Sequence, residues 1–304
     1  MKKGLIYFLL VQHFFGWSQT IPDDFMRLAE AKIDQKKYAQ AIENYDKAIA
    51  LGLNNAYVYF KRGMANFNLK HDSAAILDFD KSLERDPSGV EAYYHRAMSK
   101  YYLKSYQEAV IDFNITINLK ADYANAYLYR GASYYALAKD NECIRDEDEA
   151  IKLNPRNAQG YYYRALSKYQ LMDFTGVIED LNKALVYKHQ YEFYYYRGLA
   201  KYQTKDYQGA IADQSKVIWY KANFAPAYLE RGMCFIVEGE DDKAINDFTK
   251  TLSLKPDQAK AYHYRGVAKK YKNNASGACE DFTKAKDLGF SKSLEELQKM
   301  NCSQ

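Results

Sequence analysis

The sequence predicts an all-α chain in which short helical hairpins stack side by side, and three observations carry that prediction. A small residue recurs at Ala29, Gly63, Ala97, Gly131, Ala165, Gly198, Gly232 and Gly266, at steps of 34 residues with a single step of 33. Four residues before the last seven of these anchors stand Tyr59, Tyr93, Tyr127, Tyr161, Tyr194, Tyr228 and Tyr262. Twelve residues after the anchors stand Ala41, Ala75, Ala109, Cys143, Val177, Ala210, Ala244 and Ala278. A large ring one helical turn from a small residue marks one packing face of a helix. Small residues on two facing helices let their axes approach. A unit this short cannot bury both apolar faces alone and must stack on copies of itself.

The stretch Pro226 to Pro256 shows the unit in full. Tyr228, Arg231 and Gly232 lie on its first amphipathic segment, and Ala244, Asp247, Phe248 and Leu252 on its second. The polar turn Gly239-Glu240-Asp241-Asp242 joins them, and Pro256 ends the unit. The same reading places first helices near 23–34, 55–69, 89–103, 123–137, 157–171, 190–204, 224–238 and 258–272. Second helices fall near 38–51, 72–85, 106–119, 140–153, 174–187, 207–220, 241–254 and 275–287. Asp and Ser in the intervening turns, as in Lys70-His71-Asp72-Ser73 and Lys205-Asp206, are expected to cap the second helices. From Lys292 to Met300 a last segment puts Leu294, Leu297 and Met300 on one face, as a helix covering the final open apolar face would.

Residues 1–18 stand apart. Lys2 and Lys3 precede the apolar run Gly4 to Trp17, and Gly16-Trp17-Ser18 puts small residues where a leader would be cut. The run is short for a membrane span and is interrupted by Gln12 and His13. A cleaved secretory leader is expected, with a retained N-terminal anchor as the alternative. The mature chain would then hold a repeat domain over 19–290 and a capping helix and tail over 291–304, in a secreted or periplasmic setting and without a membrane span. The net charge of +4 in 304 residues offers no basic stripe for nucleic acid. The 31 tyrosines are the outlier of the composition; their positions on first helices serve both cores and binding surfaces.

The pattern resembles the tetratricopeptide repeat: about 34 residues of helix–turn–helix with aromatic, small, Ala, aromatic, Ala and Pro at fixed places. The resemblance covers roughly residues 22 to 290, about eight repeats, and implies a right-handed α-solenoid. The second aromatic place reads Tyr45, Phe79, Phe113, Glu147, Leu181, Gln214, Phe248 and Phe282, so Glu147 and Gln214 break it and predict looser packing there. The terminal Pro is kept only at Pro87, Pro155 and Pro256.

A charge series runs in phase with the repeats. Arg62, Arg96, Arg130, Arg164, Arg197, Arg231 and Arg265 precede the anchors, and Asp78, Asp112, Asp146, Asp180, Asp213, Asp247 and Asp281 recur on the second helices. The first repeat has Leu28 and Asn44 in the two places, so both members are missing together. One structural ion pair per repeat accounts for this, since Arg suits bidentate contact with a carboxylate. An Arg ladder that binds a ligand is the alternative.

The resemblance implies a concave groove lined by first helices. The residues it places there include Phe60, Met64, Phe67, Tyr94, Met98, Tyr101, Leu128, Ala132 and Tyr135. They continue with Tyr162, Leu166, Tyr169, Tyr195, Leu199, Tyr202, Leu229, Met233 and Ile236. The Lys and Asn set of the family's carboxylate clamp is missing, whereas an aromatic, Met-rich groove suits an apolar protein or peptide segment. Packing against neighbouring repeats is the competing role of these rings. Five histidines show no metal-ligand spacing, and no phosphate loop or nucleophile elbow appears. The run Asp146-Glu147-Asp148-Glu149 reads as a solvated helix face, with Asp146 belonging to the ion pairs.

Cys143 and Cys234 lie in distant repeats at small buried positions and cannot meet. Cys279 and Cys302 differ. Eight helical residues lead from Cys279 to Asp287, the chain turns at Gly289, and nine residues lead back from Ser293 to Cys302. An antiparallel cap brings the two to one level, and a disulfide is expected, against a reading of four free thiols. Together these features predict a non-catalytic protein-interaction scaffold without cofactor, metal, nucleic-acid or small-molecule substrate. The rivals are a structural spacer in an envelope or secretion assembly, whose groove holds no ligand, and an enzyme with an unrecognised site.

Overall fold

A computed structural model describes residues 21–302. The expected leader, 1–18, lies outside the described residues, within which every regular element is a helix. α1 covers 21–34 and pairs with α2 (Tyr38–Ala50). The following hairpins are α3 (Ala56–Asn68) with α4 (Asp72–Arg85), α5 (Val90–Tyr102) with α6 (Tyr106–Leu119), and α7 (Ala124–Ala136) with α8 (Asp140–Leu153). Contacts group the chain into two compact units, one ending at Pro155 and one beginning at Arg156. The second unit holds α9 (Ala158–Gln170) with α10 (Phe174–Tyr187), α11 (Tyr191–Gln203) with α12 (Tyr207–Tyr220) and α13 (Ala225–Val237) with α14 (Asp241–Leu254). It ends with α15 (Ala259–Tyr271), α16 (Ala275–Asp287) and the terminal α17 (Lys292–Lys299). Within each unit every helix packs on the next along the chain, which makes the fold an all-α helical-repeat solenoid.

The anchors work differently from the expectation that small residue faces small residue. A methyl group added at Gly63, Gly232 or Gly266 would come within 2.8 Å of the ring of Phe79, Phe248 or Phe282. The anchor is small because the second-helix ring sixteen positions later packs directly against it. Those rings are fully buried, as are Tyr45 and Phe113, and each contributes about 1.5–3 kcal/mol of burial. Glu147 and Gln214 fill the same seats against Gly131 and Gly198 and are equally buried. Gln214 Nε2 donates to the Tyr195 carbonyl at 3.2 Å. The two breaks in the aromatic pattern are therefore filled by polar side chains of similar reach.

Each hairpin turns through a residue in the left-handed region: Lys36, Lys70, Lys104, Ala138, Met172, Lys205, Gly239 and Asn273, with φ between 55° and 73°. One of the eight is glycine; a side chain with a Cβ costs about 1–2 kcal/mol there. Capping follows the expectation in part. Asp173, Asp206 and Asn274 accept from the backbone N–H of Gly176, Gly209 and Gly277. At the α4 start the cap position belongs to His71, which makes no side-chain cap, and Asp72 is already inside the helix.

The terminal helix docks through its apolar stripe only in part, since Leu297 and Met300 are half-buried. Leu294 is exposed, whereas Ser293 is fully buried and bonds His263 Nδ1 at 2.9 Å. Phe290 packs on the His263 ring at 4.8 Å, and Lys270 donates to Glu296 at 2.7 Å. A disulfide joins Cys279 to Cys302, with their Cα atoms 5.7 Å apart.

Candidate functional site

The first helices present two chemically distinct sides. On one side lies the arginine ladder. Arg62, Arg96, Arg130, Arg164, Arg197, Arg231 and Arg265 each grip the Asp of their own repeat, through Nε and Nη2 to its two carboxylate oxygens. In Arg96 these bonds to Asp112 are 2.8 and 2.6 Å; in Arg231 both bonds to Asp247 are 2.8 Å. The third nitrogen, Nη1, reaches back to the preceding repeat: Arg62 to Asp46, Arg96 to Asp80, Arg130 to Asn114, Arg197 to Asn182, Arg231 to Ser215 and Arg265 to Thr249. The guanidinium thus clasps its own hairpin and staples it to the one before. The tyrosine three residues earlier in the chain lies under each guanidinium, 5.3–5.8 Å from ring centre to Cζ.

A second cation joins the ladder in four repeats: Lys100, Lys168, Lys201 and Lys269 reach Asp112, Asp180, Asp213 and Asp281 at 2.7–2.9 Å. Asn66 donates to Asp78 at 3.0 Å in the same role. The equivalent places beside Asp146 and Asp247 hold Tyr134 and Phe235. In those two aspartates burial outweighs the arginine and raises the carboxyl above its ordinary range.

The other side is aromatic. First helices of neighbouring repeats approach one another, α3 with α5 and α5 with α7 in the first unit, and α9, α11, α13 and α15 in sequence in the second. Phe60 and Phe67 both contact His95 of the next repeat, at 6.3 and 5.3 Å. Tyr101 meets Tyr129 at 5.6 Å. Tyr162 and Tyr169 both meet Tyr196, at 6.0 and 6.1 Å. Tyr195 and Tyr202 run on through Phe224 and Tyr207. Of the expected groove residues, Tyr94, Met98, Leu128, Ala132, Leu166, Leu229 and Met233 are buried, and Phe60, Met64, Phe67, Tyr101, Tyr135, Tyr162, Tyr169, Tyr195, Leu199, Tyr202 and Ile236 are half-buried. The rings therefore serve repeat stacking and present their remaining edges on one face of each unit.

The column that completes this face stands two residues before each anchor: Lys61, His95, Tyr129, Tyr163, Tyr196, Glu230 and Tyr264. Its 34-residue period was available in the sequence, but its mixed chemistry hid it. His95 is enclosed by Phe60, Phe67, Phe79 and Tyr94, and this burial lowers its pKa. Glu230 takes a seat that is aromatic in four other repeats. Burial raises its carboxyl, and Lys260 lies 3.6 Å away. The charge of Glu230 in turn raises the hydroxyls of Tyr169, Tyr195 and Tyr202 beyond what burial alone does.

The acidic run departs from expectation in its first half: Asp146 and Glu147 are buried, whereas Asp148 is exposed and Glu149 half-buried. Cys143 and Cys234 are buried, and desolvation pushes the Cys234 thiol up to about 12, far from reactive thiolate character. Among the described residues no three His, Cys, Asp or Glu side chains converge as a metal site.

Comparison with known proteins adds to this geometry. A TPR repeat model matches residues 29–70 and a tetratricopeptide repeat model matches 56–88. No curated relative matches the chain at a significant level. Among solved structures the chain is similar to YrrB, described as a TPR protein with an unusual peptide-binding site. The identity is 21% and the TM-score 0.57, covering 61% of this chain and 97% of that one. It is similar to MamA at 27% identity and a TM-score of 0.51, over 54% of this chain and 96% of that one. A tetratricopeptide repeat protein of Parabacteroides merdae aligns over 92% of this chain and 98% of its own, at 16% identity and a TM-score of 0.50.

Proposed function

The chain belongs to the tetratricopeptide repeat family, and from that premise we propose that it is a non-catalytic scaffold that holds a segment of a partner protein against the aromatic face of its first helices. The observation that carries this reading is the division of labour on those helices. Polar satisfaction is completed on the arginine side, so the opposite side is left to half-exposed rings at repeating intervals. Such rings bind apolar and aromatic side chains of an extended or helical segment at low entropic cost. YrrB, with the same fold, carries a peptide-binding site by its own description. The setting we propose is secreted or periplasmic. The basic-then-apolar stretch before residue 19 supports it, as does the disulfide, a bond that persists in oxidising compartments.

Affinity capture from the native envelope, with mass spectrometry of what is retained, identifies the partner. The test is then Tyr162→Ser combined with Tyr169→Ser. Both rings border Tyr196, so the pair is expected to weaken capture by about 2 kcal/mol or more. Unchanged capture by a variant with wild-type circular dichroism would refute groove binding and leave the spacer role.

A further inference from the structure

A different face of the second unit carries a feature that the groove does not use. At the C-terminal ends of α10 and α12 four large apolar or aromatic side chains stand in solvent: Val186 is 73% exposed, Trp219 74%, and Tyr187 and Tyr220 44% each. The repeat itself supplies the control. Val186 and Trp219 occupy the same place in consecutive hairpins, 21 residues after the anchor, where the other hairpins have Ala50, Glu84, Asn118, Lys152, Ser253 and Asp287. Packing does not require bulk there. Two neighbouring hairpins nevertheless have it.

The adjoining stretches of chain carry charge of one sign. Over 183–189 and 216–223 there is no acidic residue, and Lys183, Lys188, Lys216 and Lys221 frame the apolar pair. Lys216 Nζ lies over the Trp219 ring, 5.8 Å from its centre, which places a cation directly beside the exposed indole. Lys221 sits 4.5 Å from the Tyr191 ring. Tyr187 and Tyr220 keep one face against Tyr161 and Tyr194 and turn the rest to solvent. A protein hot spot needs a complementary pocket. Two side chains nearly three-quarters exposed at helix ends offer a protrusion instead. An apolar protrusion with tyrosines at its base and lysines around it matches the layered chemistry of a bilayer interface.

We propose that this edge of α10 and α12 docks on an anionic lipid surface, with Trp219 and Val186 entering the headgroup region and the four lysines meeting lipid phosphates. The reading is independent of the groove, which lies on the first helices.

The chain has one tryptophan after Trp17, so the chain from Gln19 onward, which holds every contact described above, reports on Trp219 alone. Its emission is recorded with vesicles of phosphatidylcholine, with and without phosphatidylglycerol. A blue shift and co-sedimentation are expected only when phosphatidylglycerol is present, and both should weaken with salt. Trp219→Ala, at an exposed position, should reduce binding about tenfold, and Lys183→Glu combined with Lys216→Glu by more than about twentyfold. Lys81→Glu, the counterpart of Lys183 and Lys216 in the second hairpin, should leave binding unchanged. Failure to bind phosphatidylglycerol vesicles, or equal sensitivity to Lys81→Glu, overturns the proposal. So does a blue shift that grows with protein concentration without lipid, which would make the edge a contact between copies. Retention on polyglutamate or DNA without vesicle binding overturns it as well.

Discussion

The arginine ladder gives a prediction with an internal control. Among the described residues Arg231 is the one cation bonded to Asp247, whose side chain is 8% exposed, so Arg231→Ala leaves a buried charge without compensation. Breaking a buried pair from one side costs about 3–5 kcal/mol. Arg96→Ala removes the same bidentate grip from Asp112, but Lys100 stays bonded to that carboxylate at 2.8 Å. The loss there is about 1.5–3 kcal/mol, the worth of hydrogen bonds to a charged group. The lost contact to Asp80, which is 42% exposed, adds little. The difference between the two variants, rather than either value, carries the argument.

Acid discriminates further. Asp247 already has a raised carboxyl through burial, and losing Arg231 raises it more. A carboxyl whose folded pKa exceeds its unfolded value favours folding below the unfolded pKa, and that advantage is lost as pH rises through the folded one. The penalty of Arg231→Ala should therefore be large at neutral pH and shrink towards about pH 4. Urea unfolding across that range measures it, with hydrogen exchange in α13 and α14 because stacked repeats can open locally. Arg231→Met with Asp247→Leu should recover most of the loss, since an apolar pair leaves no buried charge. Equal losses in the two arginine variants, or a pH-independent penalty, would refute the reasoning.

Two predictions concern the terminal cap. Burial lowers the pKa of His263, whose Nδ1 bonds Ser293, so its contribution is complete above the ordinary value near 6.5 and is lost as pH falls through the lower folded value. Exchange protection of α17 should fall on acidification within that window, and His263→Phe should flatten the profile. Cys279→Ser with Cys302→Ser opens a loop with a sequence separation of 23 and should cost roughly 3 kcal/mol by loop entropy, read as loss of protection in α16 and α17. The intact chain should weigh two hydrogens less without reductant than with it.

The hairpin period was legible because each buried seat admits few residue types. The anchor must be small under a ring, and the Arg and Asp of the ladder must appear together, as their joint absence at Leu28 and Asn44 indicates. Features whose requirement is met by several chemistries stayed hidden. Every hairpin needs a left-handed residue, but Lys, Ala, Met, Asn and Gly all fill it, and only Gly239 announces a turn. The second cation on the aspartates was obscured because Asn66 replaces it once and Tyr134 and Phe235 omit it. Burial of Glu147 was hidden for a related reason: an acidic run reads as solvated, whereas this seat is set by the glycine opposite.

Successive positions on one helix turn separate stability from recognition. The residue just before each anchor faces its own Asp and the previous second helix, and the residue before that faces the rings of the previous first helix. The two side chains point about 100° apart on a helix. A ligand on the aromatic face can therefore differ from repeat to repeat without disturbing the ladder. This is where the chain varies: the arginine is unchanged through seven repeats, while its neighbour runs Lys61, His95, Tyr129, Tyr163, Tyr196, Glu230 and Tyr264. A column that varies beside an unvarying arginine is how a periodic scaffold acquires an aperiodic surface. Glu230, a half-buried carboxylate among Tyr169, Tyr195 and Tyr202, is the point at which that surface departs most from its own repeat.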